Sequence, residues 1–428
     1  MAAAETIRSQ DAGADIVVLA AESHGYYSRP GLAYYLAQEV PEHGLFPFTP
    51  RDIARLDIRM VHDRAVRVDP GAHRVSLGSG RELPYDRLLI ATGSTAIPLT
   101  VPGAQLDGVL KLDDMDDARN LIRRSHGTKN AVVVGGGITA LEIVEGLRAH
   151  HVHVHYFMRR DRYWSNVLSE SESHIVEEGL QARGVEIHYF TELARVVGER
   201  NRVVGVETAD GTRIPCGMVA VAIGVVPQIE LARAAGLECE RGVLVDEHLR
   251  SSDPDIFAAG DIAEVRDPLT GRRTLDVLWN SAVSKGRVAG MNMATEPVRI
   301  YDKGAPLNVT RLAGFKITII GTVGTGKDSD LEGLARGDSE TWRRLGDAAT
   351  VECQSGDTHI RLALGDGTIA GAVVMGDQAL SFPLQDLIIA GANVSGIMAD
   401  LQAPDAPLAQ IVHDFWQDWK GHRVQTKS

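Results

Sequence analysis

The sequence predicts an α/β protein in which two Rossmann-like units precede a C-terminal α+β domain, and three observations carry that prediction. A complete strand, glycine turn, helix and strand runs through "NAVVVGGGITALEIVEGLRAHHVHVHYF". A similar helix and strand, without the leading glycine turn, opens the chain. Beyond about residue 306 the pattern changes to short alternating strands between Gly-Asp and Asp-Gly turns.

The opening "MAAAETIRSQDAGADIVVLAAE" reads as an alanine-rich helix from Ala2 to about Ser9, a turn, and a buried strand ending at the acid Glu22. The central unit is complete. It has a strand at Ala131–Val134, glycines at 135, 136 and 137, a helix over about Ile138–Ala149 and a second strand at Val152–Phe157. Gly135 suits the tight turn, Gly137 lets a backbone approach a pyrophosphate, and Ala140 takes the third small position where helix packs on strand. The helix start then offers amide groups and a positive dipole end to phosphates. Aligning "ETIR" with "EGLR" sets Met1 opposite Leu141. Counterparts of Gly135 and Gly137 would then precede Met1, so the first unit reads as truncated, without its first strand and phosphate loop. A first nucleotide is accordingly expected to bind weakly or not at all.

Composition bounds the function. The chain has 428 residues, 44% apolar and 24% charged, enough for several domains with large cores. A net charge of -13 argues against a nucleic-acid surface, which needs a basic stripe. No apolar run reaches the length of a membrane span and no secretory leader is seen, so a cytoplasmic location is expected. Cys216, Cys239 and Cys353 are widely spaced, which excludes a disulfide scaffold.

Further motifs follow in a fixed order: "YDRLLIATGS" with Ala91, Thr92 and Gly93, "VAVAIGVVPQ" with Gly224 and Pro227, and "DPDIFAAGDIAE" with Gly260 and Asp261. With the Gly135 loop they resemble the FAD-dependent pyridine nucleotide-disulfide oxidoreductases, in the rubredoxin-reductase and nitrite-reductase-like branch, over residues 1 to about 297. The resemblance implies two nested Rossmann-like (FAD/NAD) dinucleotide-binding domains plus a C-terminal α+β interface domain. Its segments are 1–107 for the first FAD part, 108–238 for NAD(P), 239–297 for the second FAD part, and 306–428. It also implies that Asp261 hydrogen-bonds a ribityl hydroxyl, that Glu22 accepts from the adenosine ribose, and that Arg29 and Pro30 of "YYSRPGLAYYLAQEV" lie against the cofactor. For Arg29 a helix-start salt bridge is the competing reading. Glu142 matches the glutamate that borders nicotinamide and flavin in relatives.

Two departures inform. No cysteine occurs between Met1 and Pro215, so electrons are expected to pass from NAD(P)H through FAD to an external acceptor, a small iron-sulfur or rubredoxin-type protein among them. At the end of the second strand, "YFMRRDRYW" places Arg159, Arg160 and Arg162 where an acid would select NAD, which favours NADPH. The rival reading is a degenerate nucleotide-binding or scaffold subunit without flavin activity. A homodimer is compatible with the C-terminal domain, and Arg272 and Arg273 form a local basic candidate for an acidic carrier.

Three segments imitate other sites. "GTVGTGKD" at Gly321–Asp328 has P-loop spacing, but Asp328 replaces the magnesium-binding hydroxyl, so a turn is favoured. His151, His153 and His155 share one strand face with liganding potential; without an acid from elsewhere they read as a strand packed under a helix, and no metal is expected. The last helix carries Trp416 and Trp419 with a mixed-charge face, which suits docking within the fold.

Overall fold

The computed structural model describes residues 1–268, 271–296, 298–324, 334–343 and 349–425. The central unit is a five-stranded parallel sheet in the order 185–188, 153–157, 130–134, 218–221, 109–110. Its strands are apolar runs because both faces are covered. Val154 and Tyr156 face a core shared with the helices Met115–Ser125, Ile138–Ala149 and Glu170–Ala182. Phe157, Val132 and Val219 face the opposite way, under an antiparallel meander of strands Leu193–Glu199, Arg202–Thr208 and Arg213–Pro215. The predicted helix Ile138–Ala149 is found as such, and the second strand is His153–Phe157. His151 lies in the turn before that strand, with φ 61°.

In the first unit the strand Ile16–Ala20 pairs in parallel with Ile58–His62, and Leu88–Ile90 pairs in parallel with Ile256–Ala258. Among the described residues these remain two separate two-stranded sheets. The helix Ala2–Gln10 packs instead on the helix Trp279–Ala294, and the contact is backbone to backbone. A Cβ on Gly290 would stand 2.6 Å from the Ala3 carbonyl oxygen, and one on Gly286 would meet Ala2 at 3.2 Å. Beside them, the fully buried Lys285 donates its ammonium to the carbonyls of Gly260 (3.1 Å) and Ala263 (3.2 Å).

The C-terminal part is an antiparallel sheet in the order 307–312, 315–321, 368–375, 358–365, 349–355, as the alternating pattern predicts. The helices Ser381–Ile389 and Leu408–Gln425 cover one face. Trp416 is buried there and donates its indole N–H to Asp386. Gly321 ends a strand, and the last four residues of the P-loop-like segment, 325–328, lie outside the described residues. No helix of the described residues is long and apolar enough to cross a membrane.

One buried ion pair ties this domain to the central unit. Glu172, on the helix Glu170–Ala182, accepts two parallel bonds of 2.9 Å from Arg361, whose guanidinium also donates to the carbonyls of Val167 and Val323. Burial pushes the Glu172 carboxyl up, but the Arg361 charge and the hydrogen bonds win and hold it at about 2. A carboxylate depressed in this way contributes stability above its ordinary value of 4.5 and loses it as pH falls toward 2. Arg361→Met strands a buried charge and should cost about 3–5 kcal/mol at neutral pH. Urea unfolding checks this, and the deficit should narrow as pH falls, first above pH 4.5 as the unpaired Glu172 of the variant takes up a proton and then between 4.5 and about 2 as the parent loses its ion pair.

Candidate functional site

The glycine turn of the central unit is dictated by sterics. Gly135 has φ 148°, and a Cβ there would meet the Ala222 carbonyl oxygen at 2.1 Å and the Ala140 methyl at 3.0 Å. Gly136 is open, with nothing within 4 Å of a Cβ position. Gly137 caps the helix Ile138–Ala149 without a side-chain hydrogen bond, so the first amides of that helix face outward unsupplied by a cap. Thr139 Oγ1, in the same first turn, is buried and finds no partner. An uncapped helix start, an open glycine and an orphaned hydroxyl suit a phosphate group. Gly137 itself borders Ala335, whose methyl would stand 2.7 Å from a Cβ, so its freedom also seats the C-terminal domain.

The two motifs "ATGS" and "GVVP" meet. The strand Ser94–Ala96 pairs antiparallel with Val225–Pro227, the Thr92 hydroxyl donates to the Gln228 carbonyl at 2.9 Å, and the Gln228 amide returns a bond to Thr92 at 2.8 Å. Gly93 and Gly224 take φ 68° and 125° at the turns. Ala91 and Thr92 are exposed. The Ser94 hydroxyl donates to Asp261 at 2.6 Å, so the first motif also orients the carboxylate of the last. Gly260, at φ 83°, begins that turn, which Lys285 supports from below.

The next residue, Thr95, turns to a group the sequence reading missed. Asp113 is 8% exposed and accepts from the Thr95 hydroxyl (2.8 Å), the Ala96 amide (3.2 Å), Lys111 (3.2 Å) and Arg336. Its backbone carbonyl accepts from Arg29. Burial raises the Asp113 carboxyl, and Arg336 with these bonds brings it below the usual range. Arg29 also pairs with Glu22, whose other oxygen accepts from the Tyr27 hydroxyl at 2.6 Å. Glu22 and Arg29 therefore form one network, the salt-bridge arrangement, and Pro30 caps the helix Gly31–Leu36 beside them.

Glu142, on the second turn of the glycine-loop helix, is the perturbed acid of the site. Burial pushes it up to about 7, aided by Glu145 and opposed by Arg336. Arg159 and Arg160 are exposed just past the strand His153–Phe157. Arg273 donates to the Val245 carbonyl at 2.7 Å and so supports the fold from the turn where a basic carrier patch was expected.

A family model described as pyridine nucleotide-disulphide oxidoreductase matches residues 1–286. This chain belongs to that family. It is 33% identical to the ferredoxin–NAD(+) reductase component of the biphenyl dioxygenase system of Paraburkholderia xenovorans, over 87% of this chain and 86% of the relative. It is 30% identical to a rubredoxin–NAD(+) reductase of Pseudomonas putida, over 65% of this chain and 73% of the relative. Among solved structures, a ferredoxin reductase for the CYP199A2 system of Rhodopseudomonas palustris matches with a TM-score of 0.84 at 25% identity, covering 96% of both chains. The two sequence relatives are named as NAD(+) reductases of a ferredoxin and a rubredoxin, in keeping with a pyridine-nucleotide oxidoreductase family.

A carboxyl raised by folding takes up a proton that the unfolded chain lacks, so Glu142 lowers stability progressively as pH rises from 4.5 to about 7. Glu142→Gln should melt higher than the parent at pH 8 without added nucleotide, with the gap closing by about pH 4.5. Melting curves across that range check it, and a gap independent of pH would place the titration elsewhere.

Proposed function

We propose that this chain is a FAD-dependent NAD(P)H oxidoreductase that delivers electrons to an external carrier of ferredoxin or rubredoxin type. The end-to-end similarity to a ferredoxin–NAD(+) reductase component carries the reading. The thiols support it: burial pushes Cys216 up to about 11, and Cys239 and Cys353 are also raised by burial, so none is a ready thiolate. Bound FAD supplies the conversion of a two-electron hydride into electrons for the carrier.

The residues present fit both nucleotides in part. Asp261, fixed by Ser94, offers its carboxylate to a ribityl hydroxyl. Glu22 is the acid for the adenosine ribose, held by Tyr27 and Arg29. The uncapped amides after Gly137 take the pyridine nucleotide's pyrophosphate, and Glu142 lies along the same helix toward the ring end. Ala91, Thr92, Gly93 and Gly224 set the floor between the two nucleotides. A homodimer through the C-terminal domain belongs to the same proposal.

One observation favours the rival scaffold reading, namely the first unit's division into two separate strand pairs. Titration of the purified full chain with FAD separates the two. Weak uptake of added FAD, with the bound fraction bleached by NAD(P)H without oxygen and restored by ferricyanide, is the expected result. Nucleotide binding without flavin retention or bleaching would make the chain a scaffold.

The coenzyme preference is a finer proposal. Arg159 and Arg160, exposed just past the strand His153–Phe157, are assigned to the coenzyme's 2'-phosphate, although the relatives above are named for NAD(+). NADPH should then exceed NADH in kcat/KM. Arg159→Glu should cost NADPH roughly 1.5–3 kcal/mol, about tenfold or more, and leave NADH nearly unchanged. Equal losses for both coenzymes would remove the phosphate contact.

A further inference from the structure

The strand His153–Phe157 does pack under helices, but its histidines lie on the other face. Alternation places His153 and His155 on the same face as Phe157, opposite Val154 and Tyr156, which point to the helices. The neighbouring edge strand Val185–His188 runs parallel, with His155 opposite Glu186 and Phe157 opposite His188. The acid that the sequence alone could not supply therefore arrives from the next strand. Three donors converge: His153 Nε2 is 3.5 Å from Glu186 Oε2 and His155 Nδ1 is 3.3 Å from that oxygen, while His188 Nε2 stands beside them, 3.1 Å from His155 Nδ1 and 3.4 Å from Glu186 Oε1. The donor atoms of His153, His155 and Glu186 all lie within 4.8 Å of one another.

These separations have a chemical meaning. Donors bound at 2.0–2.2 Å in a tetrahedron stand about 3.3–3.5 Å from each other along its edges. Two imidazole nitrogens at 3.1 Å must share either a proton or an ion. Entry from solvent is open, since the side chains of His153 and Glu186 are 45% and 52% exposed. Imidazole with a single carboxylate suits zinc-class ions and not calcium or magnesium, which take oxygen ligands. Among the described residues His153, His155 and Glu186 are the one such grouping of three or more potential ligand residues.

We infer that His153, His155 and Glu186, with His188 beside them, form a binding site for one zinc-class divalent cation, which staples the edge strand Val185–His188 to the strand His153–Phe157. None of these residues is among those assigned above to the nucleotides, and the site needs neither flavin nor coenzyme. Its ligands come from two adjacent strands, so an ion bound to the native fold and not to the unfolded chain raises the melting temperature.

Untagged full-length protein, stripped with chelator, is titrated with Co2+ and separately with Zn2+. The expected result is one ion per chain, a visible Co2+ spectrum of four- or five-coordinate nitrogen and oxygen type, and a melting temperature that rises with Zn2+. His153→Ala and Glu186→Gln, both at exposed positions, should each weaken binding about tenfold or more while leaving the metal-free melting temperature unchanged. His155→Ala serves as a third variant, judged only if it folds. Binding equally tight in both exposed-site variants would put the ion elsewhere, cysteine included. No binding by the parent protein at concentrations near 100 µM would leave the cluster as a proton-sharing pair and overturn the inference, as would binding without any thermal shift overturn the staple.

Discussion

A single buried carboxylate organises the cleft. Asp113 lies between the strand Ser94–Ala96, the edge of the central sheet and the C-terminal domain, and it takes a hydrogen bond or charge contact from each. A charge so enclosed is tolerable only when its partners are in place. The requirement runs in both directions: Thr95 and Ala96 must keep their register against Val225–Pro227, and Arg336 must reach in from the C-terminal part. Once Arg336 is there, Ala335 comes to rest against Gly137, and the glycine loop acquires one of its walls. Arg29 completes the arrangement from the first unit. Three segments far apart in the chain are thus fixed by one acid.

How much of this was legible depended on whether the physics was local. The Gly135 turn was, because a positive φ and a backbone approach leave glycine as the only residue that fits. The helix Ile138–Ala149 and the C-terminal antiparallel sheet were likewise set by apolar spacing and turn residues. Asp113 and Arg336 were not, since they stand 223 residues apart and nothing in "KLDDMDDAR" marks its first aspartate as the enclosed one. Glu22 was picked out as a ligand contact and Arg29 as either a ligand contact or a helix-start salt bridge, but that each is the other's partner appears only in the fold. The histidine strand shows the same boundary. Its alternation could be read, but which face it turned to the helices, and that Glu186 would sit opposite His155, are matters of sheet order and register.

The C-terminal domain is joined by contacts of two kinds. The Glu172–Arg361 pair is a buried, bidentate bond that fixes orientation at a cost in desolvation. The segment around Ala335 contributes a backbone bridge, Val225 to Leu334, and apolar contact at the glycine loop. The first fixes the angle of the domain and the second its distance from the cleft.

The helix Trp279–Ala294 carries a mechanical consequence. At Lys285 it is tied to the Gly260 and Ala263 carbonyls by bonds of set length, at Gly290 it meets the backbone of Ala3, and at Gly286 it meets the rigid Ala2 methyl. Neither contact has slack, because a hydrogen bond tolerates little stretch and a backbone contact has no rotamer to yield. The helix is a strut. A load that shifts the first helix along its axis is delivered to the turn bearing Asp261 before it can be dissipated, so the chain's two extremes of the first unit, some 260 residues apart in sequence, move as one part.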